Sequence, residues 1–288
     1  MTLDTGLIGR LQLPARENLS EWTVGGVRFV LHEDHRWLLP IAHAAQEQGL
    51  LPKPCTLVMF DLHHDALEPR CLPGLRAARE RLTVNDVVRL CGQNLSSNDD
   101  DWLKAGMELR MFGDAVIFGV EDTSDRDRYR TYRADLAREH TIDMLERPGS
   151  ALGYQGSLSD RARSGALERI WNVLGWQILD CVFEFLPDQP RILLTIDLDY
   201  FAVRWDDYTF PWPDEVFNKE FLAASDYSST QGWTGKAFLR GLVEKAGLVA
   251  ICRESACTGG LEKSRFILSK LDEYVFDGDL GFDSGTRI

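Results

Sequence analysis

The chain has 288 residues, 44% of them hydrophobic and 27% charged, and its net charge at pH 7 is −13. This profile is typical of a globular α/β protein, and the acidic charge argues against nucleic acid or an anionic membrane as the main partner, while it is compatible with a cationic substrate. No signal peptide or membrane-length apolar run is apparent and the cysteines are unpaired in spacing, so we expect a cytoplasmic protein with free thiols.

Apolar runs in the sequence predict buried strands that alternate with helices. Residues 1–22 are polar and predict an irregular arm or an edge element. The predicted strands are, in chain order, residues 27–31, 56–60, 115–119, 192–196 and 248–252. Helices are predicted up to residue 48, from 83, over 102–111, over 163–180, from 214, over 232–247 and after 260.

Three details of the helical segments are specific enough to test. Thr83 and Asp86 predict a capping box at the start of one helix. The acid run 98–101 is interpreted as capping and macrodipole charge. The charged segment 121–150 predicts a mostly solvated helix followed by a loop, and Phe266 is predicted to be buried in the last helix with Leu268 and Leu271.

No linker or repeat divides the chain, and strand–helix alternation continues throughout. We therefore predict one catalytic domain over residues 1–288, a three-layer α/β/α fold with a doubly wound, mostly parallel sheet. Side chains of the metal-ligand type follow the predicted carboxyl ends of the strands, which is where such sheets build their sites.

The densest group of these side chains is Asp61, His63 and Asp65, which alternate directly after the strand 56–60. Asp197 and Asp199 alternate after the strand 192–196. His35 follows the first strand and Glu254 follows the last. This set is larger than one tetrahedral zinc needs, and its hard oxygen ligands favour two manganese ions that share bridging carboxylates.

Each residue also has an ordinary structural interpretation. His35 alone could be a satisfied histidine near a helix start, and Asp197 and Asp199 could cap a helix or lie at the surface. Glu254 could pair with the neighbouring Arg253. Their joint placement at successive strand ends is what favours a metal centre.

The residues 33–35, 61–65 and 195–199 resemble the motifs of the ureohydrolase superfamily. That superfamily contains arginase and agmatinase and shares its fold with the deacetylase-like enzymes. The likeness extends over residues 30–260, but only at these islands. Asp-Leu-Asp-Tyr-Phe at 197–201 and the stretch 101–104 are more similar to the peptide arginases, which convert arginine in ribosomally made peptides to ornithine and release urea.

The resemblance implies an arginase-like fold, two Mn²⁺ ions per chain and a role for each matching residue. Asp61 and Asp197 would bridge the ions, Asp65 would also orient the metal-bound hydroxide, and Glu254 would grip the substrate guanidinium. The implied ligands of one ion are His35, Asp61, Asp65 and Asp197. Those of the other are Asp61, His63, Asp197 and Asp199. The implied partner is an arginine-containing precursor peptide.

The chain also departs from the family. Small-molecule arginases hold the free amino acid with polar residues just after the first cluster, where this chain has Ala66 and Leu67. No proton-shuttling histidine is evident, since His140 falls in the charged segment, and His32, His43 and His64 are interpreted as structural or supporting. Asp34 is a candidate to orient a ligand.

Three other functions stay open. The chain could be a small-molecule ureohydrolase of the agmatinase or arginase type, a zinc amidohydrolase of the deacetylase type, or a binding module without activity. The segments 66–82, 154–163 and 202–213 are candidates for the peptide groove.

Overall fold

The computed structural model describes residues 6–7, 9, 11, 13–14, 18–70, 72–78, 82–119, 131–133, 139–145, 191–205, 208–222 and 234–282. These residues belong to two compact units. The first is drawn from Met1–Glu146, Pro190–Tyr200 and Lys245–Glu254, and the second from Arg147–Gln189, Phe201–Glu244 and Ser255–Ile288. The single catalytic domain over residues 1–288 stays a prediction.

The first unit is built on an eight-stranded sheet in the order β1-β2-β10-β7-β3-β4-β6-β5. Its inner pairs are all parallel, and the edge pairs β1–β2 and β5–β6 are antiparallel. The predicted α/β fold with a mostly parallel sheet is therefore confirmed. The described strands are β1 (Ser20–Val24), β2 (Val27–His32), β3 (Cys55–Phe60), β4 (Phe112–Phe118), β5 (Thr131–Arg133), β6 (Glu139–Leu145), β7 (Ile192–Asp197), β8 (Ala202–Trp205), β9 (Tyr208–Pro211) and β10 (Ala246–Cys252).

Among the described elements, α-helices follow β2, β3, β9 and β10 along the chain. The chain leaves β2 through a 3₁₀ turn at His35–Trp37. The described α-helices are α1 (Leu38–Glu47), α2 (Leu72–Ala78), α3 (Val84–Gln93), α4 (Trp102–Glu108), α5 (Asp214–Phe217), α6 (Gly235–Lys245) and α7 (Leu261–Leu271). The predicted capping box of α3 is confirmed, with the Thr83 side chain accepting from Asp86 N–H and the Asp86 side chain accepting from Thr83 N–H.

The central strands are buried on both faces. Every residue of β7 and of β10 is buried, which is the pattern of parallel strands covered from both sides. Residues 38–45 of α1 are also buried, so this helix packs deeply into the same core. The second unit has its own aromatic cluster, in which Phe201 and Phe217 contact Trp212 at ring-centroid distances of 5.4 and 5.5 Å.

The strand order creates a topological switch point between β3 and β7. These two strands are parallel neighbours, but after β3 the chain continues to β4 on one side, and after β7 it continues to β10 on the other. The connections therefore diverge, which opens a crevice at the carboxyl ends of the two strands. The clusters that begin at Asp61 and at Asp197 lie at this position.

The predicted helix in the charged segment 121–150 is wrong where the structure describes it. β5 and β6 lie there instead, and β6 pairs with β4 in parallel register, with Ala115 opposite Ile142 and Phe118 opposite Leu145. Pairing with a buried strand overrides the local preference of a charged sequence. His140 consequently lies in a strand and not in a helix.

Other local predictions have mixed outcomes. Leu268 and Leu271 are buried, but Phe266 is 42% exposed, so its predicted burial is wrong. Of the candidate groove segments, 66–82 contains α2 and 202–213 contains the β8–β9 hairpin. The segment 154–163 and the predicted helix 163–180 lie outside the described residues. Among the described helices, none has the length and apolarity needed to cross a membrane.

Candidate metal centre

The strand register brings four predicted site residues to one edge of the sheet in the first unit. Cys252 at the end of β10 lies opposite Asp197 of β7 and His32 of β2. Asp61 follows β3 directly, and its N–H continues the ladder by donating to Phe118 O at 2.9 Å. His35 and Glu254 follow the ends of β2 and β10, so the predicted convergence at this edge is found.

Two matching turns set the direction of the aspartates. Asp61 Oδ1 accepts a hydrogen bond from the N–H of His63 at 2.6 Å, and Asp197 Oδ1 accepts one from the N–H of Asp199 at 2.8 Å. Each first aspartate thus holds the backbone two residues on, which is the Asx turn that this side chain favours. The chain turns at both clusters, so the alternating ligands converge through the turn.

Asp65 has a different support. Its φ of 49° lies in the left-handed region, which is uncommon for a residue other than glycine. Its carbonyl accepts from Leu103 N–H at 3.3 Å, and its Oδ2 accepts from the Trp102 indole N–H at 2.5 Å. The first turn of α4 therefore holds Asp65 in place.

The carboxylates surround one ring nitrogen of His35. Its Nδ1 lies 3.3 Å from Asp61 Oδ2 and 3.2 Å from both Asp65 Oδ2 and Asp197 Oδ2. Glu254 Oε1 is 3.5 Å from the same nitrogen. His35, Asp61 and Asp197 are fully buried, so these charges meet in a place with little water to screen them.

His63 forms the more open side of the cluster. Its Nδ1 lies 3.0 Å from Asp199 Oδ2 and 3.4 Å from Asp61 Oδ1, and its side chain is 38% exposed. Leu62 N–H donates to Asp199 Oδ1 at 3.4 Å, which links the two clusters through the backbone. His63 is therefore more exposed than the other proposed ligands, whose carboxylate and imidazole groups are buried.

Unsatisfied buried atoms test whether a cation fits. Within the described part of the chain, both ring nitrogens of His35 and the Oδ2 atoms of Asp61, Asp197 and Asp199 are buried without a hydrogen-bond partner. Such atoms are costly, because burial has removed their water and no hydrogen bond replaces it. Bound cations would satisfy them.

The donor atoms form two overlapping sets, and the atoms of each set are close enough together to hold a cation. Ligand atoms of His35, Asp61 and Asp65 lie within 4.8 Å of one another, and so do those of Asp61, Asp197 and Asp199. The two sets share Asp61. Carboxylate oxygens with an imidazole nitrogen suit manganese, magnesium or zinc, so the residues fit a pair of divalent cations.

The ionisation of the acidic groups reflects their crowding. Burial, together with the charges of Asp65 and Asp199, raises the pKa of Asp61 well above its ordinary value. Burial and the charges of Asp199, Glu254 and Asp61 do the same to the pKa of Asp197. For Asp199 burial acts in the same direction, but the contact of its carboxylate with the His63 ring outweighs it, and the pKa of Asp199 is lowered.

The histidines respond in the opposite way. Burial lowers the pKa of His35, but Asp65 and Glu254 outweigh this and raise it well above its ordinary value. Asp199 and Asp61 likewise raise the pKa of His63 against the effect of burial. Protons on these rings offset the carboxylate charges, and bound cations would replace those protons.

The backbone places Glu254 at the centre in an unusual conformation. Its φ is 34°, and its N–H donates to Glu33 O at 3.0 Å. The guanidinium of the neighbouring Arg253 contacts Glu33 Oε2 at 2.8 Å and Asn18 O at 2.9 Å. The carboxylate of Glu254 lies beside His35, so it is placed either to meet a substrate or to approach a cation.

The sequence patterns did not identify two residues of this region. Trp102 donates to Asp65, and Cys252 places its Sγ within 4.8 Å of ligand atoms of His35, Asp197 and Glu254. Burial and the nearby carboxylates raise the pKa of the Cys252 thiol, which donates to Glu33 O at 3.0 Å. Only the strand order brings Cys252 beside Asp197, so no local motif indicates it.

The remaining histidines make local contacts. The Nδ1 of His32 lies 3.1 Å from Asp34 O, and burial lowers the pKa of His32 to about 3. His64 Nδ1 accepts from Ala66 N–H at 3.0 Å, and His43 Nε2 lies 3.2 Å from Leu82 O. These contacts agree with structural roles.

The acidic candidates near these histidines contact other groups. The Asp34 carboxylate accepts a hydrogen bond from Arg36 at 3.1 Å. Asp101 lies at the N-cap of α4, but its side chain accepts from Ser96 N–H at 3.1 Å and makes no cap hydrogen bond. The predicted side-chain capping by this acid run is therefore not found at Asp101.

Comparisons with known proteins give no sequence match and a weak structural similarity. No protein-family model and no curated protein matches the chain. Among solved structures, it is similar to proclavaminate amidino hydrolase from Streptomyces clavuligerus, with 11% sequence identity and a TM-score of 0.39. The match covers 78% of this chain and 54% of that one, so this chain spans about half the length of the matched protein. A similarity of this size establishes no family.

Proposed function

We propose that this chain is a manganese-dependent hydrolase that cleaves the guanidinium of arginine side chains in a peptide, leaving ornithine and releasing urea. The observation that carries the proposal is the pair of overlapping donor sets that share Asp61, with buried carboxylate oxygens left unsatisfied. Two divalent cations held close together supply Lewis acidity and activate water for attack on a carbon centre.

The side chains around the centre have distinct tasks in this proposal. His35 and Asp65 would hold one cation, His63 and Asp199 would hold the other, and Asp61 and Asp197 would contribute to both positions. Asx turns and the α4 contact orient the aspartates before substrate arrives. This preorganisation means that little rearrangement is needed during the reaction.

Glu254 is proposed to accept N–H groups of the guanidinium. A carboxylate can accept two parallel N–H bonds from this planar group, and such charge-assisted pairs are strong. The carboxylate lies at the same edge as the metal ligands, with His35 Nδ1 at 3.5 Å. A guanidinium held by Glu254 would therefore have its carbon close to the donor sets.

The proposed reaction is a balanced hydrolysis. Water adds to the guanidinium carbon, and the bond between that carbon and the side-chain nitrogen of arginine breaks. The nitrogen takes up a proton and leaves as the ornithine amine, while the carbon leaves as urea. The net charge of −13 favours the approach of a cationic substrate.

The segment after the first cluster supports a peptide over a free amino acid. Ala66 is fully buried, and Leu67 packs against the core while its N–H donates to Asp100 O at 2.8 Å. These two side chains offer no polar group to a free carboxylate or ammonium. A small-molecule ureohydrolase is the second candidate, because cations held by the donor sets would act on the guanidinium of a small molecule as well as on that of a peptide.

The substrate class can be tested by mass spectrometry. Manganese-loaded protein incubated with arginine-containing peptides should remove one carbon, two nitrogens and two hydrogens per converted residue, with one urea released. Peptides with lysine in place of arginine, and protein treated with a chelator, are the controls. Consumption of agmatine with every peptide unchanged would overturn the peptide assignment, and the absence of urea from all guanidines would overturn the hydrolase itself.

A further inference from the structure

Trp102 contacts two of the proposed ligands at once. Its indole N–H donates to Asp65 Oδ2 at 2.5 Å, and the same oxygen lies 3.2 Å from His35 Nδ1. Its ring also packs against the His35 ring, with centroids 5.3 Å apart. Trp102 is fully buried, so no water can replace this hydrogen bond.

The start of α4 holds the backbone around Asp65 as well. Leu103 N–H, one of the helix donors that lacks a partner within the helix, donates to Asp65 O at 3.3 Å. Leu67 N–H donates to Asp100 O at 2.8 Å. Since Asp65 has a left-handed φ of 49°, these contacts offset a conformation that its own sequence does not favour.

Trp102 itself is fixed by packing. Its ring meets the Phe112 ring edge-on at 5.9 Å. The Phe112 ring is itself closely packed, since a Cβ added at Gly106 would lie 2.3 Å from it. The indole therefore has little room to move. A rigid donor aimed at one carboxylate oxygen defines where the other lone pairs of that oxygen point.

We propose that Trp102 is a positioning residue that fixes Asp65 against His35 and thereby sets the affinity of one cation position of the pair, the one formed by His35, Asp61 and Asp65. The inference rests on the cation-binding part of the proposed function. The second position has separate supports, since Asp199 contacts His63, Leu62 N–H and Asp197. Loss of the indole N–H should therefore affect the two positions unequally.

The test is a calorimetric titration of metal-free protein with Mn²⁺ in three forms: wild type, Trp102→Phe and Trp37→Phe. Phenylalanine keeps an aromatic ring at position 102 but removes the donor. Trp37 is a matched control, because it is also buried, and its indole nitrogen has no hydrogen-bond partner among the described residues. The wild type and Trp37→Phe should bind two ions alike.

For Trp102→Phe we expect one of the two ions to bind about 10- to 100-fold more weakly, the usual effect of losing a group that orients a ligand. The other ion should bind as in the wild type. A merely structural role would weaken both ions or lower the unfolding temperature of the metal-free protein. Either that result, or unchanged binding of both ions, overturns the inference.

A second measurement on the folded wild type covers the case in which the Phe variant does not fold. In protein with ¹⁵N-labelled tryptophan indoles, the addition of diamagnetic Zn²⁺ should shift one indole resonance. That resonance should also be present in Trp37→Phe, so it does not belong to Trp37. An indole spectrum unchanged by Zn²⁺ overturns the inference. If the wild type binds two ions but releases no urea from any guanidine, the proposed function is overturned and the role of Trp102 stands. If the wild type does not bind a pair of ions, both are overturned.

Discussion

Replacing Asp61 with asparagine should weaken cation binding and suppress urea release together. Asp61 contributes to both donor sets and lies 3.3 Å from His35 and 3.4 Å from His63, so one substitution removes a charge from each cation position. Because changes to groups that only orient a ligand cost about 10- to 100-fold in affinity, loss of a shared ligand should weaken Mn²⁺ by more than about 100-fold. Turnover should fall by at least about 1,000-fold.

The same substitution should increase the thermal stability of the metal-free protein. Burial and the charges of Asp65 and Asp199 raise the pKa of Asp61, so its folded form favours the proton. A raised folded pKa contributes stability at low pH that is lost as the pH rises through that value. Metal-free Asp61→Asn should therefore unfold at a higher temperature than metal-free wild type at neutral pH, with a smaller difference in acid.

Thermal unfolding with and without Mn²⁺ separates these effects. Cations should raise the unfolding temperature of the wild type strongly and that of Asp61→Asn little, since a ligand stabilises only the state that binds it. Asp279→Asn is the control, because this carboxylate is 61% exposed and lies in the second unit. Full cation binding by Asp61→Asn would contradict the shared role of Asp61.

Replacing Glu254 with glutamine should separate substrate binding from cation binding. If Glu254 accepts the guanidinium, the variant should bind two cations as the wild type does, while kcat/KM falls by about 30-fold to about 5,000-fold. That range corresponds to about 2–5 kcal/mol for truncating one partner of a buried charge pair. Glu47→Gln, an exposed carboxylate on α1 of the same unit, should change neither quantity.

The geometry gives the Glu254 variant a second decisive outcome. Glu254 belongs to one donor group with His35, Asp197 and Cys252, so its carboxylate is close enough to approach a cation. Loss of one cation in Glu254→Gln would make it a ligand and would contradict the guanidinium assignment. Equal cation binding with lost turnover would support that assignment.

Much of the fold followed from local sequence. The strands at 27–32, 55–60, 192–197 and 246–252 agree with the predicted runs within about two residues, because β-branched and apolar side chains suit strands buried on both faces. The capping box at Thr83 was also apparent, since its chemistry depends on residues only three apart. Such features are visible because their causes are local.

The features that were missed depend on contacts distant in sequence. β6 has charged residues among its apolar ones, and only pairing with β4 makes it a strand. Trp102 and Asp65 are separated by 37 positions, and Cys252 meets Asp197 only through the strand order. For the site, the sequence indicated which residues are grouped, whereas their Asx turns and the donor to Asp65 required the structure.

The most direct test of the two-cation centre is anomalous diffraction from crystals of the manganese-loaded protein. We predict two manganese peaks in the first unit, one beside His35 and Asp65 and one beside His63 and Asp199, with Asp61 in contact with both. A single peak in a tetrahedral set, or peaks that exclude Asp61, would contradict a two-cation centre. Absence of manganese from this edge of the sheet would contradict the metal centre altogether.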